Sequence, residues 1–127
     1  MEPVAVVIML ALIEYTVFGM LVGWARGKYS IEAPATTGHP VFERYFRVQM
    51  NTQESLMMLL PGLVLFGFYY NANYAAILGL VWIVGRIVYL RAYVADPKKR
   101  SLGFMLSFVP NVILVIGGGI AALMNMV

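Results

Sequence analysis

Four apolar stretches, each approaching the roughly 20 residues that a helix needs to cross the hydrocarbon of a bilayer, fill most of a chain of 127 residues. They cover residues 4–25, 41–70, 74–93 and 101–126. Two long loops and one tight turn connect them. With 61% of its residues hydrophobic, against about 45 to 50% in soluble domains, the chain reads as one whose solvent is lipid. The expected fold class is therefore all-α: an integral membrane four-helix bundle subunit, with residues 1–127 as one domain. Glu2 and Pro3 precede the first stretch where a signal peptide would carry basic residues, so that stretch is expected to be a retained span. Gly19 and Gly23 stand at the GxxxG spacing, and Gly117, Gly118, Gly119, Ala121 and Ala122 form a small-residue patch. Both features predict close helix packing. Pro110 predicts a kink in the fourth stretch.

The second stretch is the informative one, because its strictly apolar part, residues 56–70, is only about 15 residues long. To cross the bilayer it must carry polar residues to the hydrocarbon boundary. Those residues are Arg44, Arg47, Gln49, Asn51, Gln53 and Glu54. On a helix Arg47, Asn51 and Glu54 are i, i+4 and i+7, so a cation, an amide and an anion share one face. Such a face suits a small zwitterion.

Topology follows from the loops. Arg26, Lys28, Arg44 and Arg47 flank the first connection, Lys98, Lys99 and Arg100 occupy the third, and Asn71 to Asn73, the second, has no charge. The positive-inside rule puts both basic loops in the cytoplasm and both termini on the opposite side. The net charge of +3 has this explanation, and no basic stripe with interleaved aromatics points to nucleic acid. The chain has no cysteine, which excludes disulfides and a protein thiol nucleophile. Any sulfur chemistry must use a bound thiol. A lone His39 in a Pro/Gly/Thr loop does not suggest a metal site.

At the end of the third stretch Arg86, Tyr89 and Tyr93 are spaced i, i+3 and i+7, followed by Arg100. Taken alone, the tyrosines read as an aromatic belt and the basic residues as topogenic charge. Taken together, two phenols and two guanidiniums look toward one cavity at headgroup level. Glu14 lies about 12 residues before Arg26, about 18 Å deeper along the helix. A lone carboxylate there costs on the order of 3 kcal/mol, so a partner is expected, with Arg86 at comparable depth the candidate. Proton handling is the alternative for Glu14, since four spans with a first-helix glutamate also resemble small multidrug-resistance transporters.

The two polar constellations resemble those of the membrane-associated proteins in eicosanoid and glutathione metabolism, the MAPEG family. The resemblance rests on Thr36, Thr37, Gly38, Pro40, Phe42, Glu43, Arg44, Arg47, Gln49, Asn51 and Glu54, and later on Gly85, Arg86, Tyr89, Tyr93 and Arg100. It implies a homotrimer that binds glutathione as co-substrate between subunits near the cytosolic face. Arg47, Asn51 and Glu54 would hold the tripeptide, Tyr89 and Tyr93 would add hydroxyls, and Arg26 and Gln49 would reach in from the neighbour. Arg100 would be the arginine that activates the thiol. The chemistry of the residues agrees. Glutathione has two carboxylates for guanidinium forks, an ammonium for Glu54, and a thiol whose pKa near 8.5 leaves it mostly protonated unless a cation stabilises the thiolate. The second substrate, a lipophilic electrophile or lipid hydroperoxide, would enter from membrane lipid. Where leukotriene-forming members have a tyrosine after the motif glutamate and a second arginine after the loop arginine, this chain has Ser55 and Gly27. A broader glutathione transferase, with peroxidase activity as a companion, is therefore the expected enzyme. A non-catalytic lipid-binding scaffold and a proton-coupled exporter using Glu14 are the alternatives.

Overall fold

The computed structural model describes residues 1–127 and consists of four long helices with no strand: α1 (Glu2–Tyr29), α2 (Pro40–Tyr69), α3 (Ala72–Ala95) and α4 (Ser101–Asn125). A single 3-10 turn, Pro97–Lys99, leads into α4. Local chemistry sets the boundaries. Pro3 and Pro40 occupy first turns, where their missing N–H groups leave no gap. His39 caps α2 by accepting from Val41 N through Nδ1 at 3.1 Å, and its ring stacks on Tyr29 at 3.9 Å. Glu43 reaches back to accept from Gly38 N at 3.1 Å, which ties down a glycine whose φ of +140° suits no other residue. Asn71 caps α3 by accepting from Tyr74 N at 2.9 Å.

α2 and α3 each touch the other three helices, and α1 and α4 lie on opposite sides of that pair. The main core joins Val4, Val7 and Ala11 of α1, Leu59 and Leu63 of α2, Trp82 of α3 and Leu114 of α4. Glycines let the helices approach. Gly79 faces Val7, Gly118 faces the backbone of Leu65 and Phe66, and Gly103 faces the backbone of Tyr89. The small patch of α4 thus packs against α2, as its composition implies. Gly23 and Gly27 meet nothing within the chain. The GxxxG pair is used only at Gly19, which lies under the Gln49 amide.

Three helical stretches, Glu2–Tyr29, Ala72–Ala95 and Pro97–Asn125, are long and apolar enough to cross a membrane. α2 is not, in keeping with the short apolar part, residues 56–70, read from its sequence. Its 30 residues would extend about 45 Å, and the polar half lies at its N-terminal end. Large side chains such as Met57, Phe68, Leu102 and Met20 point outward, as lipid-facing groups do.

Candidate functional site

The polar residues gather at the end of the bundle that carries the connections before α2 and α4. Arg44 joins the two, its Nη1 donating to Val94 O at 2.9 Å at the end of α3. Tyr89 is the centre. Its ring stacks on Tyr93 at 5.5 Å, the Arg86 guanidinium lies 4.3 Å from its centroid, and it packs with Phe18 and Val48.

Within the single chain the expected site residues line separate cavities. Arg47 and Tyr93 line one of about 430 Å³ with Arg44, Glu43 and Thr36. Asn51 and Glu54 line another of about 170 Å³ with Ser55, Arg86, Ser107 and Asn111, walled by Met58, Phe104 and Phe108. Arg100 lines a third of about 400 Å³, which shares Phe104 with the second. Arg26 is apart. Its Nη1 donates to Ala35 O at 2.6 Å, its guanidinium covers Phe42, and it faces yet another hollow. Gln49 points at α1 over Gly19, on neither side of these cavities. The single shared headgroup-level cavity read from the tyrosine and arginine spacing is therefore not found in one chain.

Arg86 differs most from expectation. Instead of pairing with Glu14 it is fully buried and hydrogen-bonded to Ser107, Asn51 and Thr52. No ion pair joins it to Glu14, whose two carboxylate oxygens are buried without partners. No hydrogen bond or ion pair bridges the gap between the two charges. The physical reason is supply. Three neutral acceptors on α2 and α4 take its Nε and Nη1, while Nη2 stays buried without a partner. Glu14 lines none of these cavities.

Below Asn51 the polar wall continues. Trp82 Nε1 donates to Ser55 Oγ at 2.8 Å, and Asn111 Nδ2 donates to Ser55 O and Oγ at 3.1 and 3.0 Å. Ser107 and Asn111 went unnoticed in the sequence. Their signal was there: two polar residues at i and i+4 within an otherwise apolar span.

Arg47 and Glu54 form no hydrogen bond or ion pair within the chain, and the only ion pair joins the N-terminus to Glu2. Free cations, a free carboxylate and phenols beside apolar, outward-facing walls can take an amphoteric ligand from water and an apolar one from lipid. Fold and site together define a polytopic helical membrane protein with an amphoteric polar site at one end of its bundle.

The chain belongs to the MAPEG family, whose sequence model matches residues 4–120. It is 43% identical over 103 residues to microsomal glutathione S-transferase 2 of Homo sapiens, covering 81% of this chain and 70% of that protein. Leukotriene C4 synthase of Bos taurus is 32% identical over 96 residues, 76% of this chain and 64% of the relative. An uncharacterized protein of Synechocystis is 48% identical over 113 residues, 89% of this chain and 82% of the relative. Family and helices together make this an integral membrane protein.

Proposed function

We propose that this protein is a membrane glutathione transferase that adds the glutathione thiolate to lipophilic electrophiles, and that the same thiolate reduces lipid hydroperoxides. The similarity to microsomal glutathione S-transferase 2 supports the class of reaction. The observation that carries the reading for this chain is the set of unsatisfied opposite charges, Arg47 and Glu54, on one face of α2 beside Asn51 and the tyrosine pair. Both side chains are exposed in the single chain, and unpaired charges at a membrane boundary are costly unless a ligand completes them. Glutathione does so: carboxylates for Arg47 and Arg26, an ammonium for Glu54, acceptors for Asn51, Tyr89 and Tyr93.

Arg100 is the catalytic residue in this reading. It stands at the entry to α4, its Nη1 donating to Pro97 O at 3.1 Å, and its cavity shares Phe104 with the one lined by Asn51 and Glu54. A guanidinium held near sulfur lowers a thiol pKa; about 2 units would take roughly 2.7 kcal/mol of differential interaction. The electrophile then accepts the sulfur lone pair as its leaving group departs.

The division of the ligand set among cavities supports a homotrimer, because a neighbouring copy bringing Arg26 and Gln49 would complete a site that one chain leaves open. Gly23 and Gly27, clear of intramolecular contact, mark the face of α1 for such an approach. The basic loops and the site face the cytoplasm in this arrangement, with the termini opposite.

The test is titration of the purified protein with glutathione, followed by thiolate absorbance and by turnover of an activated aryl halide. Binding below millimolar and a thiolate signal near neutral pH are expected. Arg100→Ala should keep the fold and lose at least about tenfold in conjugation rate. Absence of glutathione binding at millimolar concentration would reject the assignment.

A further inference from the structure

Arg86 is 0% exposed, deep between helices. Its Nε donates to Ser107 Oγ at 3.0 Å, and its Nη1 donates to Asn51 Oδ1 at 2.8 Å and Thr52 Oγ1 at 3.3 Å. The two hydroxyls have their own protons committed. Ser107 donates to Gly103 O at 2.9 Å and Thr52 to Val48 O at 2.7 Å, each four residues back along its helix. Both therefore offer only lone pairs to the guanidinium, which is held from α2 and α4 at once.

That rigidity has a consequence for Asn51. A carboxamide can normally turn round, exchanging its donor and acceptor ends. A guanidinium has N–H groups and no acceptor, so a reversed Asn51 would set NH2 against N–H. The oxygen is locked toward Arg86 and the NH2 faces the other way. Asn51 lines the cavity that it shares with Glu54, and its Nδ2 makes no hydrogen bond within the chain.

We propose that Arg86 is a positioning residue that fixes the Asn51 carboxamide as a one-way donor. This point of the site then accepts a carboxylate or peptide carbonyl oxygen of the bound tripeptide and rejects a hydrogen-bond donor. The inference rests on the glutathione reading above for its ligand, and on the side-chain network alone for its geometry.

Asn51→Asp is the decisive variant. It puts a carboxylate against Arg86, so the buried contact is kept and made charge-assisted, while the outward donor becomes an acceptor. Thermal stability in detergent should equal or exceed that of the unmodified protein, and the glutathione Kd should rise at least about 30-fold. Retained stability with a Kd within threefold would overturn the proposal. Arg86→Met should weaken glutathione about tenfold without moving the pH at which bound thiolate appears, and Arg86→Lys, which also has no acceptor, should recover part of the loss. A shifted thiolate pH, or no recovery with lysine, would count against positioning. A stability cycle of Arg86→Met with Asn51→Leu, run without glutathione, separates the two readings. Non-additive losses support the locked amide; additive losses overturn it even if the protein proves to be a transferase. An unmodified protein that binds no glutathione rejects the transferase reading instead.

Discussion

Gly103→Ala tests whether the meeting of α3 and α4 sets the geometry of the site. A Cβ at Gly103 would lie 2.4 Å from Tyr89 N, 2.5 Å from Tyr89 Cα and 2.8 Å from Tyr89 Cβ. Two of these atoms are backbone, so no rotamer change relieves the clash. Reaching an ordinary contact of about 3.4 Å requires the helices to separate locally by about 1 Å. Overpacking of this kind costs about 1 to 3 kcal/mol. Against that, replacing glycine by alanine in a helix returns up to about 1 kcal/mol. Gly119→Ala, where nothing lies within 4 Å, carries only the favourable term and is the matched control. Thermal unfolding in detergent should therefore place Gly103→Ala roughly 5 to 10 °C below Gly119→Ala. Because Arg100 enters α4 three residues before Gly103 while Tyr89 is on α3, the same displacement moves the proposed thiol-activating group relative to the tyrosines. A misplacement of about 1 Å can cost up to about 100-fold in rate, so conjugation by Gly103→Ala should fall well below that of the control. Melting within about 2 °C of Gly119→Ala together with an unchanged rate would refute the argument.

Arg44→Gln removes the donor to Val94 O at a helix C-terminus, worth about 1 to 2 kcal/mol. Hydrogen exchange across residues 93–100 should accelerate while the core of α3 stays protected; unchanged exchange would show that Arg44 does not hold this turn. Glu14→Gln loses no hydrogen bond, since neither carboxylate oxygen has a partner. Thermal stability should therefore stay within about 1 kcal/mol and conjugation within about twofold. A loss above about 2 kcal/mol would mean that Glu14 neutralises Arg86 across the gap.

The helices were legible because apolar length and terminal chemistry act locally. The apolar runs of α1, α3 and α4 mark their helices without reference to the rest of the fold, although α3 begins at Ala72, inside the connection expected at Asn71 to Asn73. The face of α2 that carries Arg47, Asn51 and Glu54 was legible for the same reason, since i, i+4 and i+7 is a property of one helix. What could not be read was the partner of each polar group. Depth along the bilayer put Glu14 and Arg86 at one level, but depth has no azimuth. Ser107 and Thr52, small and neutral, drew little attention in the sequence, yet they occupy the directions from which Arg86 is reached. Likewise the spacing of Tyr89 and Tyr93 gave their stacking face, but not that Arg47 and Arg100 would open into different cavities.

This division points to how the polar residues share their tasks. Those buried among three helices, Arg86, Thr52 and Ser107, hold one another through neutral acceptors, with Asn111 tied to Ser55 beside them, and leave only Arg86 Nη2 and Asn111 Oδ1 without a partner. Those nearer the surface, Arg47, Glu54 and Arg100, remain without ion partners. In a low-dielectric setting unpaired charges are the groups that gain most from a complementary ligand, whereas a network that meets most of its own hydrogen bonds gains less and serves to keep positions fixed. Asn51 belongs to both sets, with its oxygen in the buried network and its NH2 in the cavity. It is therefore the residue through which a rearrangement of the helices would reach the ligand, and the one at which a single atom exchange, nitrogen for oxygen, should separate binding from folding.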